Sequence, residues 1–551
     1  MACADKRSVS SAARPCKRVT GVRVMLRVSF LPRAAPFVIA CALLAAPAIA
    51  QMSNAQKDAP DSPAATERRA RPALERENFD RPTADAPREA DEQQQTHERQ
   101  GLEKQQEADA PQGVDEQQRV DERQATDARE SLARALRDWS NEEPDDSRSV
   151  QRSEIAAYYK NRDYTPIWRD ADGFTKTAKS ALDTLRDAGR DGLRVKTPAQ
   201  ESSWNAEAEL ALSEAVADYA AQASGARVNP ATISPDIEER PSVVKPAQAL
   251  DAIAEAGDDA GARLAAFNPP HPAYAALREK LAELRAARGH PRREATAAHE
   301  SDARPITNFA SLPEAKAKRV EAEIIANMER WRWEPRDMGA TRLEVNIPQF
   351  ETTFTRDNQI VFRARVVVGK KTSPTPVFSD VMPYLIINPT WTVPESIIEK
   401  ELEPKTGGKL TKLRARGYTV TYRNGKPFVQ QEPGEKNALG RLKFVFPNDL
   451  LIYMHDTPQK KLFARAKRAY SHGCVRVQNP FKLAEEVIGR PGYDEKRLKA
   501  LIGKKERRIN LAKPIPVHIE YFTAVVNDDG ALKLYDDIYG YSAKVRSALA
   551  L

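Results

Sequence analysis

The hydrophobic period changes at Gly339, and this change limits the possible folds more than any other feature of the 551-residue chain. Beyond it, "TRLEVNI", "TTFTR", "QIVFRARVVVG", "YLIINP", "KFVF" and "LLIYMH" are strand-like runs of period two, broken by Pro, Asn and Gly. "YTVTYRNGKPFVQQ" predicts a hairpin, with Asn424-Gly425 supplying the positive φ angles of a type I′ turn. "NPFKLAEEVIG" predicts a short helix with Asn479 as N-cap, Pro480 in the first turn and Gly489 at the end. "PIPVHIEYFTAVV" predicts a late strand. Before Gly339 the patterning is helical. Residues 150–288 predict four helices. The first is N-capped by Ser153 and stops before Pro166. The second carries Ala178, Leu182 and Leu185 on one face and stops at Gly189. The third ends near Gly225, and the fourth is "PAYAALREKLAELRAARG". His271, between prolines, and His290, after a glycine, read as loop residues. The expected fold class is multidomain α+β, with a helical domain at 131–289, a polar linker at 290–311 and a mostly-β domain at 312–551 that opens with one more helix.

The N-terminus bears on the compartment. From Met25 the chain shows basic residues (Arg27, Arg33), an apolar run from Ala34 to Ala46, and Ala48-Ile49-Ala50. This is the pattern of a secretory signal peptide over residues 1–50, with Met25 the expected start. A retained anchor is the weaker reading, because the run falls short of the roughly 20 residues that span a bilayer. Lipidation at Cys41 is also weaker, because the apolar run continues past it. Residues 51–130 are rich in Gln, Glu, Asp, Arg, Ala and Pro, with Phe79 the one aromatic residue, and predict a disordered spacer. The formal net charge of +8 is mild for this length, and no zinc-finger or Gly-rich phosphate motif stands out, so nucleic acid is not an expected partner.

Of the four cysteines, Cys3, Cys16 and Cys41 precede the expected cleavage site. Cys474, in "AYSHGCVRV", is left with no partner for a disulfide. A thiol becomes a nucleophile when a base lies close or a positive field lowers its pKa. Two imidazoles lie near in sequence, His472 two residues away and His455 nineteen residues upstream at the end of a predicted strand. If that strand runs beside the Cys474 segment, His455 is the base and His472 a pocket residue. Gly473 permits close backbone approach, and the amides of Gly473 and Cys474 are candidate donors to an oxyanion. Arg476 is placed to hold a carboxylate. Between Arg441 and Pro480 eight bases face only two acids, Asp449 and Asp456, which favours an anionic substrate and a lowered thiol pKa. The competing readings are a small buried hydrophobe and a zinc ligand. The second would have only His455, His472, Cys474 and Asp456 to draw on, in a spacing unlike a closed site.

"YMHDTP" followed by "YSHGCVRV" closely resembles the signature of bacterial L,D-transpeptidases, in which a His precedes a Ser/Thr-His-Gly-Cys element by about fifteen residues. "NMERWRW", "VVVGK", "TPVFS", "NPTWTVP" and "NALGRLKF" are similar to the larger periplasmic members, and "YTPIW" with "PPHPAYAALREKL" is similar to their scaffold domain. The resemblance covers roughly residues 150–520. It implies Cys474 as nucleophile and His455 as general acid/base. Gly473, His472 and Ser471 would form the oxyanion region and pocket, and Arg476, Tyr453, Trp391 and Asn437 would contact substrate. The implied substrate is a tetrapeptide stem of meso-diaminopimelate peptidoglycan. Cys474 would release the terminal D-Ala and pass the acyl group to a second stem as a 3→3 cross-link, in the periplasm of a Gram-negative bacterium. Carbapenems would acylate the same sulfur. Neither metal nor organic cofactor is implied, and a membrane only if the signal is retained or lipidated. The insertion at 395–435 resembles a capping element. The chain departs from the pattern in one respect: 290–312 is too short for the peptidoglycan-binding domain of many larger members. Transfer to water, attachment of a protein amine and a non-catalytic wall-binding role remain open alternatives. A sortase-like order would need a far longer His-to-Cys gap.

Overall fold

The computed structural model describes residues 112–141, 146–170, 173–199, 204–289, 305–503 and 505–551. The expected signal peptide, most of the spacer and most of the linker lie outside the described residues.

The helical part comprises α1 (Gln112–Asn141), α2 (Asp146–Asn161), α3 (Lys176–Arg186), α4 (Ala206–Ala223), α5 (Pro246–Ala254) and α6 (Ala260–Ala265). The spacer was expected to reach residue 130, but 112–130 belong to α1. The helix is anchored through Ala128, Leu132 and Leu136, which are buried; the polar turns before them extend from that anchored end, since adding a residue to an existing helix is far easier than nucleating one. Ser153 is not an N-cap either, because α2 already begins at Asp146. α4 runs through the middle of this core. Its alanines bring neighbouring helices close, while Leu210, Leu212, Val216 and Tyr219 fill the space between them. Its one buried acid, Glu209, accepts from Tyr159 Oη (2.8 Å), the Ile167 amide (2.6 Å) and Trp204 Nε1 (2.6 Å), so the "YTPIW" segment is tied to α4. Burial pushes its carboxyl pKa up against those donors.

Helix α7 (Pro272–Arg288) was assigned to the helical domain, yet Tyr274, Leu277, Leu281 and Leu284 pack into the core of the β domain with Val320 and Ile324 of α8 (Glu314–Trp331). Val228, Ile233 and Ile237 join the same core, while Leu250, Ile253 and Leu264 return to the helical one, so the two cores interleave along the chain rather than divide at the polar stretch that follows α7. His271 precedes α7 outside the helix, as expected of a loop residue, but it is buried against the Trp331 ring at 5.0 Å. The "NMERWRW" motif forms the junction. Asn327 Oδ1 accepts from the Thr523 and Ala524 amides (2.9 and 3.1 Å), and Trp331 stacks on Phe522 at 4.1 Å. Arg332, fully buried, donates to Glu329 (3.2 Å), the Asp191 carbonyl (2.7 Å) and Tyr274 Oη (2.8 Å).

The β domain is built from β1 (Arg342–Asn346), β2 (Glu351–Arg356), β3 (Gln359–Gly369), β4 (Phe378–Ile387), β5 (Trp391–Thr392), β6 (Tyr418–Arg423), β7 (Lys426–Gln431), β8 (Leu442–Val445), β9 (Met454–His455), β10 (Ala469–Ser471), β11 (Val475–Val477) and β12 (Arg507–Glu520). The large sheet has nine strands in the order β10-β3-β11-β9-β8-β4-β12-β1-β2. Because β2 also pairs with β3, the sheet closes on itself, with β10 added alongside β3. Closure removes the exposed edges of a long sheet and encloses a core of Val366, Leu385, Leu442, Met454, Val475 and Val517. Helix α9 (Pro480–Ile488) ends at Gly489 as expected, but Asn479 sits at φ +53° and its side chain makes no cap bond. The predicted late strand at 514–526 begins as the end of the longer β12, breaks at 521–523 and resumes as a separate short strand, Ala524–Val526, and the chain continues past Tyr541 into α10 (Tyr541–Ala548). Residues 391–431 form a small unit of their own: β5, β7 and β6 pair in that order over Val393, Ile398, Leu410, Leu413, Val420 and Val429. The predicted hairpin turn is present, with Asn424 and Gly425 at φ +50° and +77°.

Candidate active site

The site lies where β9 and β11 run side by side in parallel, Met454 opposite Val475 and His455 opposite Arg476. Side chains alternate across a strand. Met454, Val475 and Val477 point into the barrel core, so Tyr453, His455, Cys474 and Arg476 share the other face. Lys443 of β8 stands opposite His455 and joins that face, its Nζ 3.7 Å from the Tyr453 ring centre. The juxtaposition of the His455 strand with the Cys474 segment, conditional in the sequence, is present in the fold.

The turn before Cys474 is held on all sides. Ser471 Oγ donates to the Cys474 carbonyl (2.6 Å) and accepts from the Gly473 amide (3.2 Å). Gly473 has φ +115°, and a Cβ there would lie 3.1 Å from Ile452 Cδ1. Only glycine adopts such a conformation without strain. Thr375 Oγ1 donates to the Gly473 carbonyl (2.6 Å) and accepts from the Gly369 amide (2.8 Å). Tyr539 Oη closes the network by donating to the Gly369 carbonyl (2.6 Å) and accepting from the Thr375 amide (3.1 Å). The motifs "VVVGK" and "TPVFS" thus serve the cysteine turn from beneath. Two expectations change. Ser471 is a clamp inside the turn and not a pocket wall, and the Gly473 amide is already bonded and so is not an oxyanion donor. The Cys474 amide has no acceptor among the described residues and remains the candidate donor.

Cys474 is half-buried. Burial pushes its thiol pKa up; hydrogen bonds from the Tyr453 amide and hydroxyl and the charges of Lys443 and Arg476 oppose this without overcoming it. The basic surround was expected to lower the pKa, but desolvation wins. Sγ faces the Leu451 carbonyl at 3.8 Å. The resting group is a thiol that needs a base.

His455 is buried, and its Nδ1 donates to the Asp456 carbonyl at 2.5 Å, which fixes the tautomer and leaves the lone pair on Nε2. Burial, and then the charges of Arg476 and Lys443, lower its pKa to about 3, against the pull of the Asp456 and Leu439 carbonyls. It is therefore neutral across the physiological range, as a base must be. His455 and Cys474 share a face, one step apart along the strands, without a hydrogen bond between them among the described residues.

The remaining candidates divide. The Tyr453 hydroxyl faces the sulfur and the Trp391 side chain, and Trp391 connects the site to the small β unit through its pairing with Gln431. Arg476 Nη1 donates to Gln459 Oε1 (2.7 Å), while its buried Nε has no partner, a donor left for an anionic group. His472 points away from the sulfur, its Nε2 at 2.5 Å from Glu401 Oε1 in the 391–431 unit and 3.4 Å from Lys370 Nζ. It joins the rim of the site to that unit and is not a base for Cys474. Asn437 does not reach substrate space. It is buried, its Nδ2 donates to the carbonyls of Pro389, Gln431 and Glu432 (3.1, 3.1 and 3.0 Å), and its Oδ1 accepts from the Leu439 amide (2.8 Å). It fixes the loop that follows β7. Asp456 accepts from the Arg441 amide (2.9 Å) and from Lys460. No group of three or more His, Cys, Asp or Glu among the described residues is arranged to hold a metal.

Sequence reasoning gave no role to Thr375, Tyr539 or Glu401, and counted Lys443 only as one of the eight bases between Arg441 and Pro480. Lys443 occupies the outward position of the alternating "LKFV", between the buried Leu442 and Phe444, so its place on the non-core face was legible. Thr375 and Tyr539 carried no such signal, because their role depends on tertiary placement.

Residues 340–493 match the family model of the L,D-transpeptidase catalytic domain, and residues 153–281 match that of the scaffold domain. A Haemophilus influenzae protein named "Putative L,D-transpeptidase" is 28% identical over 254 residues, 43% of this chain and 51% of the relative. The chain thus spans about half the length of that curated relative. Among solved structures, the Enterococcus faecium L,D-transpeptidase catalytic domain acylated by ertapenem is 14% identical and covers 33% of this chain and 98% of its own, with a TM-score of 0.19. The Mycobacterium smegmatis L,D-transpeptidase is 12% identical and covers 33% and 58%, with a TM-score of 0.20.

Proposed function

We propose that this chain, which carries an L,D-transpeptidase catalytic domain behind a scaffold domain, is a peptidoglycan L,D-transpeptidase that forms 3→3 cross-links with Cys474 as nucleophile. The observation that carries the reading is the shared strand face of Tyr453, His455, Cys474 and Arg476, with a neutral histidine beside a protonated thiol.

In the first half-reaction His455 Nε2 takes the thiol proton as Sγ attacks the carbonyl between meso-diaminopimelate and the terminal D-Ala. The Cys474 amide donates to the oxyanion. The C–N bond breaks, His455 returns the proton to the departing D-Ala amine, and a thioester remains on Cys474. In the second half-reaction the amine of another stem attacks the thioester, gives its proton to His455 and displaces the sulfur, which recovers the proton. Arg476 and Lys443 hold stem carboxylates near the face. The 391–431 unit, joined to the site through Trp391–Tyr453 and Glu401–His472, covers the bound stem. Each step is acid–base and acyl-transfer chemistry of this chain's own groups. Carbapenems are expected to acylate the same sulfur, as ertapenem does the E. faecium domain. The N-terminal signal pattern supports a periplasmic location in a Gram-negative cell.

The test is incubation of the full chain with disaccharide-tetrapeptide and separation of the products by mass. Release of D-Ala with formation of a dimer linked between two diaminopimelate residues supports the reading. Release of D-Ala with tripeptide as the only other product makes water the acceptor and replaces it with a carboxypeptidase.

A further inference from the structure

A second concave site lies on the helical domain, away from the cysteine face. It is a groove of about 890 Å³ between α2 and α4, closed at one end by the segment after α10, where Arg194 Nη2 donates to the Ala550 carbonyl at 3.1 Å. Its size is within the roughly 300–1,000 Å³ range of small-ligand sites. Two properties define what it takes.

The first is shape. α4 lines the groove with alanines, among them Ala211, Ala215 and Ala221, so a ligand backbone can approach the helix closely. Val150 and Val243 stand at the rim with 62% and 42% of their surface exposed and offer apolar contact area for small side chains.

The second is charge. Six cations line the groove against three carboxylates. Glu214 is paired with Arg152 at 3.3 Å, and both Asp218 oxygens accept from Gln222 Nε2 at 3.0 Å. Arg227 is held by the Gly192 carbonyl (2.8 Å) and faces Glu329 at 3.6 Å. Arg148, Lys196 and Lys245 make no ion pair among the described residues, and all three are exposed along the groove. Such an arrangement attracts an extended ligand that carries several carboxylates and presents methyl-sized side chains.

We propose that this groove binds the stem peptide of a peptidoglycan strand, so that the helical domain anchors the wall polymer while the cysteine face works on it. The identity of the ligand rests on the transpeptidase reading; the stem peptide supplies both the carboxylates and the alanine methyls that the groove calls for. Arg148, Lys196 and Lys245 receive the carboxylates, and the alanine face of α4 with Val150 and Val243 receives the methyls.

The experiment is co-sedimentation of the full chain, as Cys474→Ala to prevent turnover, with purified sacculi. Two groove variants are compared with it, Arg148→Glu/Lys196→Glu/Lys245→Glu and Val243→Trp. The first reverses the charge; the second fills the rim without changing it. Carbapenem acylation of the matching Cys474 proteins monitors the fold of the catalytic domain. The expected result is at least a tenfold loss of sacculus binding in both variants with unchanged acylation. Free tetrapeptide should compete and the same peptide with its carboxylates amidated should not. Wild-type binding in either variant overturns the proposal, as does failure of the parent protein to bind sacculi. Should the charge-reversed protein lose acylation as well, the Val243→Trp result decides. Groove-dependent sacculus binding together with a Cys474 protein of intact groove that neither takes up carbapenem nor releases D-Ala refutes the transpeptidase reading and leaves the groove assignment standing.

Discussion

Thr375→Val isolates the network that shapes the nucleophile turn. Valine has nearly the same shape as threonine, and Thr375 is fully buried, so packing changes little while the hydroxyl is lost. Two backbone groups lose a partner, the Gly473 carbonyl (2.6 Å) and the Gly369 amide (2.8 Å). Leaving a buried polar group unsatisfied costs about 1–3 kcal/mol. Two such groups, with some relaxation of β3, give an expected loss of about 2–4 kcal/mol in urea-unfolding free energy. The unpaired Gly473 carbonyl also frees the turn to move. Cys474 then spends less time on the face it shares with His455, and the rate of carbapenem adduct formation by mass spectrometry should fall at least about tenfold, because misplacing a reactive group is costly. Thr375→Ser keeps the hydroxyl and should recover most of the rate. Valine and wild type within about 0.5 kcal/mol and equal in acylation, a difference typical of an ordinary surface change, would refute the claim that this hydroxyl holds the turn.

Three further outcomes follow from buried charges. Arg332→Met leaves Glu329 buried with only the more distant Arg227 (3.6 Å), and should destabilise the protein by about 3 kcal/mol in chemical denaturation; a neutral result would mean that the junction draws no support from this pair. Glu239, which accepts from Ser379 Oγ at 3.2 Å, has its pKa raised to about 7 by burial, so the fold favours its protonated form and that contribution is lost as pH rises from about 4.5 through 7. Glu239→Gln should match wild-type stability below pH 4.5 and exceed it above pH 7; a pH-independent difference removes Glu239 as the cause. With neutral His455 and protonated Cys474 as the reactive pair, the His455 pKa of about 3 and the raised thiol pKa together predict an acylation rate that is flat across neutrality, with no break between pH 6 and 7. A break in that interval, absent in His455→Ala, would show that His455 titrates as an ordinary surface imidazole.

Much of the β domain was legible because its strands are half-buried and alternate cleanly, and because Asn424-Gly425 can be little other than a tight hairpin turn. His455 and Cys474 were legible through residue type and spacing. The closure of the sheet was not, since β9 and β11 hold two and three residues and carry no periodicity of their own. α5 and α6 were missed because they are short, alanine-rich and separated by Gly257. The helical character of 112–130 was hidden by an almost wholly polar surface, for which two leucines beyond residue 130 supply the anchor. Asn437 was misjudged for a related reason: a polar residue in a family motif suggests substrate, whereas a buried amide with four partners is the keystone of a loop. The raised thiol pKa depended on burial, which a count of nearby bases cannot weigh.

The central claim is that Cys474 is a nucleophile in a site that takes L,D-transpeptidase substrates. Intact-protein mass spectrometry of the chain after mixing with a carbapenem, beside Cys474→Ala, tests it most directly. A single stable adduct on the wild-type chain, absent from the variant while the variant keeps its circular dichroism spectrum, is the predicted result. An unmodified wild-type chain, or an adduct that persists in Cys474→Ala, would contradict it.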